Sequence, residues 1–175
     1  MTMRRLADQA GLTPPTLYNL VGGREDTLRE LFVGALDALD ARLAELPDDT
    51  TGLERAELSV TASVEIFTAS PATYRPAIAA MLADQLENGQ SARAKATWTR
   101  CRDLQIAACR QALKDGDLDG EIESEWLGEE ILTDYAAALR GWAIGDLTAA
   151  QFHARALHGV CLLSDAARQG RGMLQ

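Results

Sequence analysis

Apolar residues recur along this chain in steps of three and four, and nowhere alternate in the two-residue step of a half-buried strand. Leu28, Phe32, Ala35, Leu39 and Leu46 mark one long amphipathic helix. It is closed by Pro47-Asp48-Asp49-Thr50-Thr51-Gly52, a helix-stopping proline followed by turn-forming residues. Thr51 and Glu54 have the spacing of a capping box, in which each side chain bonds the other residue's backbone N–H. They open a helix to about Ala69 whose apolar positions are Leu53, Leu58, Val60, Val64 and Phe67. Ser70-Pro71 supplies an N-cap and a first-turn proline for a helix toward Leu86, ended by Asn88-Gly89. A helix over 91–114 carries Trp98, Cys101, Leu104, Ala108 and Ala112 and stops at Asp115-Gly116. Another runs over 124–144 and stops at Gly145. The last opens with a second capping box, Thr148 and Gln151, with Leu147 and Phe152 placed as a hydrophobic staple. The expected fold class is all-α.

The first thirty residues have a different rhythm. Met3 to Ala10 is helix-forming with Thr2 available to cap it, and Gly11 stands where a helix ends in the left-handed conformation. Thr13 can cap a second short helix in which Pro14 occupies the first turn, and Leu17, Leu20 and Val21 face inward. Small Ala7 at the crossing, Gly11 four residues later and Leu17 six beyond that have the spacing of a helix-turn-helix. An ordinary αα-hairpin inside a bundle fits the same spacing. The division expected is a helix-turn-helix head with its connecting helix over 1–46 and a helical-bundle body over 47–175.

Composition narrows the partners. At 175 residues and 47% apolar, the chain has the length and core of one globular domain. No apolar run reaches the ~20 residues needed to cross a bilayer, and no apolar h-region opens the chain. Cys101, Cys109 and Cys161 are too few for a disulfide framework. On one helix, Cys101 and Cys109 would lie about 12 Å apart, beyond the ~7 Å limit for a bridge. A cytoplasmic protein with reduced thiols is expected. The net charge of −9 argues against a nucleic-acid partner for the chain as a whole. It is unevenly spread, however: Arg4, Arg5, Arg24 and Arg29 balance Asp8, Glu25, Asp26 and Glu30, so everything after Leu31 carries the whole excess. Asp115 to Ile122 copies the first eight positions of an EF-hand loop, but Trp126 stands where the bidentate glutamate belongs and Glu125 comes one place early. His153 and His158 do not share a helix face, and no zinc spacing, phosphate-binding loop or nucleophile elbow is present. No catalytic, cofactor or metal site, and hence no enzyme, is expected.

The stretch from Met3 to Asn19, followed by Arg24-Glu25-Asp26-Thr27-Leu28, resembles the DNA-binding head of TetR-type (tetracycline-repressor-like) regulators. That head combines an Ala-x-x-x-Gly helix, a Thr/Ser-Pro-x-Thr-Leu-Tyr recognition helix and a Lys-Glu-x-Leu-Leu start to a long helix. The numbering starts at the N-cap of the motif, so the resemblance is to a head lacking the family's first helix. Leu139 to Thr148 also resembles the family's link between its last two helices. The resemblance implies DNA contacts from Arg4, Thr13, Pro15, Thr16, Tyr18, Asn19 and Arg24, with Tyr18 and Arg24 on phosphates and Asn19 able to pair with adenine. Tyr18 as a packing residue and Arg24 as a solvated first-turn charge are the plainer alternatives. Leu20 and Val21 stand where the family often has His and Phe, and Gly22-Gly23 where it usually has Pro-Ser.

The resemblance also implies a body that binds a small molecule and pairs with a second copy. Val64, Phe67, Tyr74, Ile78, Met81, Trp98 and Cys101 are bulky or polarisable residues on three consecutive helices, with Gln85, Gln105 and Tyr74 as polar groups. Plain core is the alternative for each. Leu132, Leu139, Trp142, Phe152, Leu157 and Cys161 on the last helices are candidates for a homodimer interface, with Ala136, Ala143 and Gly159 permitting close approach. The expectation is a ligand-responsive repressor that binds a double-stranded operator as a homodimer, is released by a small molecule, and has no membrane partner. The alternative is a binding or interaction module of the same fold whose head does not read DNA.

Overall fold

The computed structural model describes residues 4, 7–8, 11–16, 24–88, 92–118 and 123–169. Six long helices account for most of them: α1 (Arg24–Ala44), α2 (Gly52–Ala69), α3 (Pro71–Asn88), α4 (Ala92–Asp115), α5 (Ser124–Ile144) and α6 (Ala149–Gln169). The local punctuation decides their bounds. At α2 the Thr51 hydroxyl accepts from Glu54 N and the Glu54 carboxylate accepts from Thr51 N, so both halves of the capping box form. Thr148 and Gln151 do the same at the start of α6. Gly145 ends α5 in the left-handed conformation.

α2 is the hub. It packs against α1, α3, α4 and α6, while α5 packs against α3, α4 and α6. Its buried face reads Leu53, Ala56, Ser59, Val60, Ser63, Val64 and Phe67. Leu58, expected on that face, is 40% exposed, because at ~100° per residue it points roughly 140–180° away from Leu53, Ala56, Val60, Ser63 and Phe67. On α1 the expected stripe holds: Leu28, Phe32, Ala35 and Leu39 are buried, with Leu36 beside them, whereas Leu46 lies past the helix end and is half-buried. Aromatic rings organise the middle. Phe32 stacks on Phe67 at 5.5 Å, Tyr74 meets Phe67 edge-on at 5.3 Å, and Trp142 stacks on Phe152 at 5.5 Å.

Ahead of α1, Arg4, Ala7 and Asp8 are helical, Gly11 turns, and residues 14–16 are helical again. Gly11 has φ +66°, and its N–H donates to Asp8 O while Leu12 N donates to Ala7 O. That pair of bonds is a Schellman stop, which needs a left-handed residue and so favours glycine. Ala7 is fully buried, as a small residue at a helix crossing must be. Tyr18 and Asn19 lie outside the described residues, as does the side chain of Arg24, whose backbone begins α1.

Candidate functional site

α1 and α4 both lie against α2 but hardly meet each other. The gap between them, closed at the back by α5, is a cavity of about 50 Å³. α1 contributes Phe32, Leu36, Leu39 and Asp40 to its wall, and α2 contributes Ser59, Val60, Ser63 and Phe67. Arg100, Cys101, Leu104 and Gln105 come from α4, and Leu132 and Tyr135 from α5. That is about a third of the ~150 Å³ cavity that takes up one benzene. A drug-sized ligand would have to separate α1 from α4.

Three of the expected pocket residues, Phe67, Cys101 and Gln105, line this cavity. The others do not. Val64 and Ile78 are buried in the core, Met81 packs against it, and Tyr74 sits one layer back, edge-on to Phe67. Trp98 is half-buried on α4 outside the wall, and the side chain of Gln85 lies outside the described residues. The physical reason is that α3 packs on α1 and α5 and leaves no space facing the gap. Ser59, Ser63, Asp40, Arg100 and Tyr135 escaped sequence reasoning. Two serines one turn apart on the otherwise apolar face of α2 were the available signal.

The polar groups fall into two sets. At the edge, Arg100 Nε donates to Asp40 Oδ2 at 3.0 Å and its Nη2 reaches Asp37 Oδ1 at 2.8 Å. These bonds to Asp40 first, then Asp37, outweigh desolvation and raise the guanidinium's affinity for its proton. The triplet ties α4 to α1 across the gap. Inside, Gln105 Nε2 donates to Ser59 Oγ at 2.7 Å, and Ser59 Oγ donates in turn to Ala56 O at 2.8 Å. Gln105 Oε1 and the Tyr135 hydroxyl meet no hydrogen-bond partner among the described residues. Tyr135 faces Ser63, whose own hydroxyl proton goes to Val60 O at 2.8 Å.

Burial pushes the thiols of Cys101 and Cys109 up to about 11, so both stay protonated at neutral pH. Both are expected to resist alkylation at pH 7.5 over a time in which the denatured chain reacts fully. Peptide mapping by mass spectrometry checks this, and fast labelling of Cys101 would show the α1–α4 gap open to solvent.

The helix-turn-helix segment presents its polar residues outward. Arg4, Thr13, Pro15 and Thr16 are exposed. Thr13 Oγ1 accepts from Thr16 N at 3.3 Å and lies 2.7 Å from Thr16 Oγ1, so Thr13 caps the short helix as its sequence position suggests.

Among the dimer candidates, Leu132, Leu139, Trp142 and Phe152 are buried in the chain's own core, with Trp142 and Phe152 fully enclosed. The stripe they occupy packs α5 and α6 onto each other and onto α2 and α4. Leu157 is half-buried and Cys161 exposed. Gly159 serves the same internal packing: a Cβ there would lie 2.9 Å from Asp134 Cβ. The outward side of these helices is instead a groove that includes Ala137, Arg140, Gly141, Ile144, Arg155 and His158, with Ile144 60% exposed.

The EF-hand-like stretch has other work. Asp115 Oδ2 accepts from Gly52 N at 2.8 Å and its Oδ1 from Gln111 Nε2 at 2.6 Å, which places the carboxylate at the start of α2. Glu125 pairs with Arg110, a bond that pulls its carboxyl down to about 2. No helix among the described residues is long and apolar enough to cross a membrane.

No family model and no curated protein sequence matches the chain. Solved structures do. The TetR family transcriptional regulator PfmR from Thermus thermophilus superposes with a TM-score of 0.61 at 20% identity, over 94% of this chain and 88% of that one. SCO3833 from Streptomyces coelicolor, a member of the TetR transcriptional regulator family, superposes with a TM-score of 0.55 at 21% identity, over 93% and 80%. The chain thus has the all-α TetR-type fold.

Proposed function

We propose that the chain is a ligand-responsive, DNA-binding transcriptional regulator that acts as a repressor and works as a homodimer. The observation that carries this reading is the exposed, Thr13-capped segment held beyond a Schellman turn, on a fold shared with TetR-family regulators. A helix N-terminus bearing hydroxyls suits phosphate and base-edge contacts. Residues 1–46 serve as head and connecting helix and 47–175 as the body. Two heads one DNA turn apart, roughly 34–36 Å, would be set by pairing through the outer groove of α5 and α6.

The route from cavity to head is short in the chain. α1 supplies Phe32, Leu36, Leu39 and Asp40 to the cavity wall and begins at Arg24, directly after the helix-turn-helix segment. A molecule that binds the widened gap better than the closed one favours the displaced α1, and through it a different spacing of the heads. The cell compartment expected for such a regulator is the cytoplasm.

The test is an electrophoretic shift on DNA from the chain's own upstream region. Retardation is expected at low salt and should fall steeply with added salt, since each phosphate contact releases counterions. Thr16→Asp should weaken it tenfold or more by placing a carboxylate against phosphate, with stability within ~0.5 kcal/mol because the site is exposed. No retardation at low salt would defeat the DNA-binding reading and favour an interaction module of the same fold.

A further inference from the structure

We propose that the cavity takes an uncharged, hydroxyl-bearing apolar molecule, of which a para-alkylphenol is the simplest kind, and discriminates against its carboxylate counterpart. The inference rests on the regulator reading for the cavity being a ligand site. It adds the chemical class of the ligand.

The wall demands an apolar body. Phe32, Leu36, Val60, Leu104 and Leu132 surround the space and offer no hydrogen bond. Two polar atoms then decide what the body must carry. Gln105 is 7% exposed, and its Oε1 has no partner among the described residues. Its orientation is determined, because Ser59 gives its proton to Ala56 O and can only accept from Gln105 Nε2. The Tyr135 hydroxyl is the second atom, and burial raises its proton affinity, so it remains a donor. Each buried polar atom left without a partner costs about 1–3 kcal/mol. One hydroxyl can donate to Gln105 Oε1 and accept from Tyr135 at the same time. A carboxylate can only accept, and it would set its charge against the Gln105 oxygen.

Charge points the same way. Among the described residues Arg100 is the one cation on the wall, and it is already bonded to Asp40 and Asp37. The triplet carries a net charge of −1. An entering anion must compete with two carboxylates fixed beside the guanidinium, whereas an uncharged ligand makes no demand on the guanidinium.

Calorimetric titration of the full chain with 4-ethylphenol, ethylbenzene and 4-ethylbenzoate tests this. 4-Ethylphenol is expected to bind at least tenfold more tightly than either of the others. Tyr135→Phe and Gln105→Met should each weaken 4-ethylphenol about tenfold and leave ethylbenzene unchanged. Tyr135→Phe keeps the ring and removes only the hydroxyl beside Ser63, so it should fold as the parent does, and circular dichroism verifies that. Asp37→Asn with Asp40→Asn frees Arg100 and should improve 4-ethylbenzoate relative to 4-ethylphenol by tenfold or more. The proposal is overturned if 4-ethylbenzoate binds the parent as well as the phenol does, if Tyr135→Phe leaves phenol affinity intact, or if no probe binds at millimolar concentration. DNA release is read separately. Phenol binding with the expected variant pattern but no release keeps the ligand class and defeats the regulator reading. Release by an anionic compound that ignores Tyr135→Phe does the reverse.

Discussion

Phe152→Ala is expected to cost about 3–5 kcal/mol of folding stability and to lower Tm by roughly 10 °C. Phe152 is fully buried, stacks on Trp142 at 5.5 Å with planes 20° apart, and meets Tyr135 at 5.9 Å. It also occupies the fourth position of α6, paired with buried Leu147 just outside the capping box. Truncation therefore opens a cavity under three helices and removes the apolar contact that fixes the entry angle of α6. The side chain's location makes the experiment diagnostic. A residue at the subunit interface would show its loss as a midpoint that depends on protein concentration. A core residue shifts the midpoint equally at every concentration. Thermal melts of parent and variant over a hundredfold concentration range separate the two, and a shift under ~1 kcal/mol would place Phe152 outside the core.

The same residue shows where sequence reasoning stops. The ends of the helices were legible because each is written in a few neighbouring residues: Thr51 with Glu54, Thr148 with Gln151, Ser70 before Pro71, Gly145 after Ile144. The destination of an apolar stripe was not. Leu139, Trp142 and Phe152 repeat at helical spacing whether they face the chain's own core or a second copy, so periodicity alone cannot choose between them. Burial shows that both helices spend this stripe internally, while Ala137 and Ile144 on the groove side stay exposed.

The cavity was legible only in part, for a related reason. Phe67, Cys101 and Gln105 stand out as bulky or polar residues on helical faces, and all three reach the wall. The space itself exists because α1 and α4 share α2 as a neighbour without packing on each other, a tertiary fact with no local signature. Arg100 stands sixty residues beyond Asp40 and further still beyond Asp37, and all three look like solvated charges until the fold brings them together. The helix-turn-helix segment is the opposite case. Ala7, Gly11, Thr13 and Pro14 encode crossing, turn, cap and first turn within eight residues; in the described part Ala7 is buried, Gly11 turns, Thr13 caps and Pro14 begins a helix.

Gly52→Ala is expected to be at least as damaging as the core truncation, at about 4 kcal/mol or more. A Cβ at Gly52 would stand 2.0 Å from Ala112 N, 2.4 Å from Ala108 O and 2.6 Å from Gln111 C. All three are backbone atoms of α4, so no side-chain rotation relieves the clash and the two helices must part. Parting them breaks the 2.8 Å bond from Gly52 N to Asp115 Oδ2 and exposes Ala56 and Ala112, each 1% accessible. It also moves α2, which carries Ser59, Val60, Ser63 and Phe67 to the cavity, so ligand affinity should fall with stability. Gly34→Ala is the control of opposite sign. Gly34 lies inside α1, is exposed, and has nothing within 4 Å of an added Cβ. There the methyl restricts the unfolded chain and favours the helix, for a gain of roughly 0.5–1 kcal/mol. Urea denaturation of both variants measures the contrast directly. A Gly52→Ala loss below ~1 kcal/mol would mean that α2 and α4 do not cross at this distance, and the α1–α2–α4 arrangement that frames the cavity would lose its anchor.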